Sequence, residues 1–72
     1  MDVTMELLII KSGATYIRVK EDAYLSGGID KASVYPLKQL SEVQRHAAKL
    51  RQQGFKDISI RKLKLTEEPF DD

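Results

Sequence analysis

The longest unbroken apolar run in the chain is Leu7-Leu8-Ile9-Ile10, bracketed by Glu6 and Lys11. Side chains alternate across a strand, so Leu7 and Ile9 point one way and Leu8 and Ile10 the other, the pattern of a strand covered on both faces. Met5 to Lys11 is therefore predicted as a first strand, and Ser12-Gly13-Ala14 supplies a glycine where a tight hairpin needs positive φ. Thr15 to Lys20 alternates strictly, with Thr15, Ile17 and Val19 on one face and Tyr16, Arg18 and Lys20 on the other, as in a half-exposed strand. Glu21 to Asp30 reads as a turn-rich link around Gly27-Gly28, in which Tyr24 and Leu25 can extend a short strand. Ala32-Ser33-Val34-Tyr35 is a third strand, stopped by Pro36, which has no N–H to give a ladder.

The period then changes. Leu40, Val43, Ala47 and Leu50 fall in one stripe of a helix, and Glu42, Arg45, Lys49 and Gln52 lie opposite, so one face is built to dock. Ser41 and Gln44 have the spacing of a capping box, and Leu37 to Leu40 can already turn after Pro36. Gly54 suits a left-handed residue ending the helix, with Phe55 folding back against Leu50. The last strand, Asp57 to Thr66, changes parity along its length: Ile58 and Ile60 share one face, Leu63 and Leu65 the other. Either a bulge near Arg61-Lys62 restores the register, or this strand too carries apolar groups on both faces.

The elements give an α+β domain over residues 1–66, in the order β-β-β-α-β, with an acidic tail at 67–72. The expected sheet is mostly antiparallel, in strand order 4-1-2-3, with one helix on one face. The last strand lies beside and parallel to the first, which puts the two-sided apolar run in the middle of the sheet.

Seventy-two residues leave a small margin for a single core, so help from association is no surprise. The absence of cysteine excludes disulfide, thiolate and zinc–sulfur chemistry, and a single histidine, His46, excludes a histidine metal cluster; no metal and no cofactor is expected. The apolar run is far shorter than the ~20 residues of a membrane helix, and nothing resembles a leader peptide. The expectation is a soluble, cytoplasmic protein. Its net charge of +1 hides a gradient: from Lys38 to Lys64 eight Lys and Arg stand against two acids, while the tail carries Glu67, Glu68, Asp71 and Asp72.

Little of this is catalytic. His46 borders the apolar stripe, and Glu42 one turn away suits a weak i,i+4 contact better than an oriented base. Glu21-Asp22 and Glu67-Glu68 are neighbouring loop acids, without the contrasting environments that acid–base work needs. Ser26-Gly27-Gly28 lacks the lysine and helix of a phosphate loop. No enzyme activity and no small-molecule ligand are expected.

Two surfaces stand out instead. If the helix covers Ile17 and Val19, then Leu8 and Ile10, helped by Leu63 and Leu65 and flanked by Tyr16 and Arg18, make an apolar sheet face beyond its reach. Covering ~400 Å² of such a face at about 25 cal/mol per Å² is worth roughly 10 kcal/mol before entropic and desolvation costs. A homo-oligomer, another protein, or the tail folding Pro69-Phe70 back over the sheet would supply that cover. The expected function is thus a binding or assembly module working through its sheet. The alternative is nucleic-acid binding by Arg18, Lys20, Arg45, Lys49, Arg61 and Lys62, with Tyr16 and Ser59 nearby on the sheet.

Overall fold

The computed structural model describes residues 4–21 and 23–70, so residues 1–3 of the expected domain, Asp22, and the tail acids Asp71 and Asp72 lie outside the described residues. Five strands and one helix follow in the order β1 (Thr4–Ser12), β2 (Thr15–Lys20), β3 (Ala23–Gly27), β4 (Tyr35–Pro36), α1 (Leu40–Gln52) and β5 (Ile58–Thr66), with 3-10 turns at Ile29–Lys31 and Leu37–Gln39. The domain is α+β, with an antiparallel sheet and one helix.

β1 is central, as its apolar run predicts. β5 pairs with it in one unbroken antiparallel register from Thr4–Thr66 to Ser12–Ile58. Lys11 pairs with Tyr16 as well as Ser59, and Leu7 with Pro36 as well as Leu63, so β2 and β4 share the second edge of β1. β3 closes the far side by pairing with β2 from Tyr16–Gly27 to Lys20–Ala23.

Three expectations change here. The link after Lys20 is a true hairpin: β3 returns along β2 after a two-residue turn that holds Glu21 at φ 53. The expected strand at Ala32–Tyr35 shortens to Tyr35–Pro36, because Ser33 is used differently. Where β2 leaves β1, the Ser33 N–H donates to the Ile17 carbonyl at 3.1 Å and the Val19 N–H donates to the Ser33 hydroxyl at 2.8 Å. One serine thus occupies the backbone groups that a neighbouring strand would have paired. The extra strand reverses the direction of all that follows, so β5 runs antiparallel to β1. The four long strands lie in the spatial order β5-β1-β2-β3, which matches the expected 4-1-2-3 only in outline, because the place beyond β2 is taken by Ala23–Gly27 and the remnant of the expected third strand, β4, pairs with β1 instead.

No bulge interrupts β5. Its register is continuous, so it carries apolar side chains on both faces, the second of the two readings. α1 runs from the level of Leu7 back to that of Ser12 and buries Val43, Ala47 and Leu50. Its first residue, Leu40, stays 43% exposed. The Ser41–Gln44 box is not used, since the helix starts at Leu40, two residues before that box would begin it, with Gln39 at the cap and no side-chain bond there. Its end is as expected: Gly54 sits at φ 95, its N–H donates to the Arg51 carbonyl at 3.1 Å, and the Phe55 N–H donates to the Leu50 carbonyl at 3.0 Å. These paired bonds satisfy two orphan helix carbonyls and bring Phe55 onto the core.

The core lies between α1 and one face of the sheet. Leu8, Ile10, Ile17, Val43 and Leu50 form it, with Val19, Tyr24, Tyr35, Phe55, Ile58 and Ile60 packed around. The helix therefore covers the Leu8–Ile10 face, the reverse of the expectation. Leu8 is 7% exposed and Ile10 1%, both hidden by the chain's own residues, and neither is available to a partner.

Candidate interaction face of the sheet

Directly paired strand residues share a face, so the register fixes what the far side of the sheet carries. β1 contributes Met5, Leu7, Ile9 and Lys11, and β5 contributes Ser59, Arg61, Leu63 and Leu65. β2 adds Tyr16, Arg18 and Lys20, and β3 adds Ala23, Leu25 and Gly27. Tyr16, Arg18, Leu63 and Leu65 thus lie on the uncovered face as expected. Met5, Leu7 and Leu25 take the place expected for Leu8 and Ile10. Sequence reasoning missed these because a four-residue apolar run has no polar member to reveal which parity faces the helix.

The face has two parts. At the Thr4–Thr66 end the pairs Met5–Leu65 and Leu7–Leu63 stand side by side. Met5 is 55% exposed and Leu65 45%, while Leu7 and Leu63 are half-buried. Leu25, 48% exposed, lies apart beside Arg18. Towards the β1–β2 turn the face becomes cationic, with Lys11, Arg18, Lys20 and Arg61, and the Lys11 ammonium sits 5.4 Å from the centre of the Tyr16 ring. No strand residue on this face is acidic. Ile9 is the exception to its exposure, buried opposite Arg61, whose aliphatic stem is long enough to shield it.

On the helix side the ribbon of β1 and β5 outruns α1, and its positions turn polar. Glu6 and Lys64 are paired there, and the Lys62 ammonium is 3.2 Å from the Glu6 carboxylate. The alternative cationic set is therefore divided: Arg18, Lys20 and Arg61 share the uncovered face, Lys62 points to the opposite side, and Arg45 and Lys49 lie on α1. Arg45 is also engaged, 2.6 Å from the Glu42 carboxylate. Among the described residues the tail does not cover the apolar pairs, and Phe70 is 89% exposed.

A second cluster lies on the helix side. The Tyr24 hydroxyl is 2.8 Å from His46 Nδ1, and His46 Nε2 is 3.6 Å from a Glu42 oxygen. With the imidazole hydrogen on Nε2, towards Glu42, the Tyr24 hydroxyl donates its hydrogen bond to Nδ1. The Tyr24 ring meets those of His46 and Phe55 edge-on, so the contact braces β3 against α1. Beside it, Val19, Glu21, Tyr24, His46, Lys49 and Gln53 line an open cavity of about 310 Å³. Burial and the Glu42 charge push the nearby Tyr35 phenol above its ordinary value, against a lowering hydrogen bond from Ser33. The hairpin that brings Tyr24 to His46 follows from the Val19–Tyr24 pairing, which the sequence hinted at only through the apolar Tyr24-Leu25 pair.

Among the described residues no three His, Cys, Asp or Glu side chains are grouped to hold a metal ion, and no helix is long and apolar enough to cross a membrane. Comparison of the chain with protein-family models, with curated proteins and with solved structures gives no match in any of the three.

Proposed function

We propose that this protein is a non-catalytic binding module that docks a protein partner through the uncovered face of its sheet. The observation that carries the reading is the side-by-side placement of Met5–Leu65 and Leu7–Leu63 on the face opposite the helix, where the chain's own residues leave them open to water. Apolar side chains gathered on one side of a projecting ribbon, with the Glu6–Lys62 ion pair on its other side, favour association over solubility alone. The loss of Leu8 and Ile10 from this surface makes it smaller than the sequence implied, and the surviving patch is sharper in position.

The test is sedimentation velocity from low to high micromolar concentration. Self-association, or complex formation with an added partner, is expected for the unaltered chain and is lost in Leu63→Glu and Leu65→Glu variants that keep their circular dichroism. A chain that stays monomeric throughout and binds no protein through this face contradicts the reading.

A second reading, nucleic-acid binding, draws support from the acid-free cationic half, where a half-buried Tyr16 lies between Lys11 and Arg18. Its sign is affinity for single strands that falls steeply with salt and drops on Arg18→Glu and Arg61→Glu. The division of the six basic residues among three surfaces weakens it.

A further inference from the structure

The uncovered face is bipartite, and so is the chain's C-terminus. Four cations and no acid occupy the strand positions of the face, while Glu67, Glu68, Asp71 and Asp72 crowd the six residues after Thr66 around an aromatic ring. Within one chain these charges sit badly for each other: the tail leaves β5 at the apolar end, beyond the Thr4–Thr66 pair, and must double back at once to approach Arg61 or Lys11. Phe70, at 89% exposure, is not doing so.

We propose that the occupant of the face is a second copy of this chain, stacked face to face with its β1–β5 ribbon antiparallel, so that each copy's acidic tail lies over the other's Lys11, Arg18 and Arg61. This rests on the reading of the face as a docking surface and names its partner. Stacked sheets lie about 10 Å apart, a gap that interdigitating apolar side chains fill. With the Met5–Leu65 and Leu7–Leu63 pairs of both copies superposed, the dyad passes at the level of the Glu6–Lys64 pair. Each row outward on one ribbon then faces a row inward on the other. Thr66 comes over the partner's Leu8–Lys62 row, and Glu67 comes over its Ile9–Arg61 row. The following residues run towards the row of Lys11, Ser59 and Tyr16. The four residues Glu67 to Phe70 reach about 13 Å, enough to pass from the Arg61 row to the Lys11 row without a turn. One arrangement thus covers both apolar patches and pairs both tails with cations. Stacking the ribbons parallel would instead set tail beside tail.

The test exchanges charges between the two partners. One variant carries Arg18→Glu and Arg61→Glu, which reverses the charge opposite the start of the tail and, with Lys11 and Lys20 retained, leaves a neutral face with an acidic tail. The other carries Glu67→Lys and Glu68→Lys, which makes the start of the tail basic and its net charge zero, with a basic face. All substituted positions are exposed, and thermal melts confirm the folds. Each variant alone is expected to self-associate at least roughly tenfold more weakly than the unaltered chain, with less salt sensitivity, whereas their equimolar mixture forms heterodimers tighter than either variant's own dimer, read by native mass spectrometry. A tail that docks within its own chain, or nowhere, gives a mixture no tighter than its components, and that result overturns the proposal. An unaltered dimer that neither variant weakens overturns the tail's role and leaves the apolar docking face standing. An unaltered chain that is monomeric throughout overturns both. Loss of oligonucleotide binding by the first variant, with dimer strength unchanged, assigns the cations to nucleic acid and also overturns the proposal.

Discussion

The two ends of the β1–β5 ribbon are made of the same strands in the same register, yet they solve the burial problem in opposite ways. At the Ser12–Ile58 end the apolar side chains Ile10, Ile58 and Ile60 face α1 and join the core. At the Thr4–Thr66 end Met5, Leu7, Leu63 and Leu65 face away from it, and the helix side carries Glu6, Lys62 and Lys64 instead. The helix, thirteen residues long, reaches one end and not the other. Burial in this fold is decided by what a strand lies under, and the apolar groups at the free end stay partly open to water.

The sharpest break between the ends is their cost on truncation. Leu50→Ala removes a fully buried side chain from beneath the first end and is expected to cost about 2–5 kcal/mol in urea unfolding. Leu65→Glu at the other end, where the side chain is 45% exposed, is expected to change the stability of the dilute chain by no more than ~1 kcal/mol while abolishing association. Equal costs at the two positions would erase the distinction.

A middle-sized effect concerns the place where β2 parts from β1. Ser33→Ala leaves the Val19 N–H without its acceptor in a half-buried setting and is expected to lower stability by about 1–3 kcal/mol. Amide exchange at Val19 reports it directly, since faster exchange there, with Leu8 and Ile10 still protected, confines the damage to that edge.

The smallest effect is a pH dependence. The fold holds the Tyr35 phenol above its ordinary 10.0, chiefly by burial and then by the Glu42 charge, so the folded state keeps a proton that the unfolded chain releases. The associated stability is intact below the unfolded value and drains as pH rises from there through the raised folded value. Between about pH 9 and about pH 11 the melting temperature of Tyr35→Phe should therefore fall less than that of the unaltered chain.

Much of this architecture was legible before any coordinates. Strict alternation at Thr15 to Lys20 placed Ile17 and Val19 towards the helix and Tyr16 and Arg18 away from it. The stripe Val43, Ala47, Leu50 and the Gly54-Phe55 ending are local patterns, and they hold. Parity in β1 was not legible, because Leu7 to Ile10 contains no polar residue to mark the exposed side, and the candidate face was assigned to Leu8 and Ile10 when Leu7 and Met5 occupy it. β3 was half hidden because Glu21 adopts positive φ in its turn without the asparagine or glycine that usually signals one. Missing that strand inverted β5. The Tyr24–His46 contact depends on the same hairpin and could not be anticipated without it.

A dilution series of methyl spectra tests the central claim most directly, because it reads the two ends of the ribbon in one sample. Between millimolar and low micromolar protein, the methyl resonances of Leu7, Leu63 and Leu65 should move together with a single dissociation constant, while those of Ile10, Val43 and Leu50 stay in place. Shifts that are absent at both ends, or that appear only around α1, would contradict an interface on the far side of the sheet.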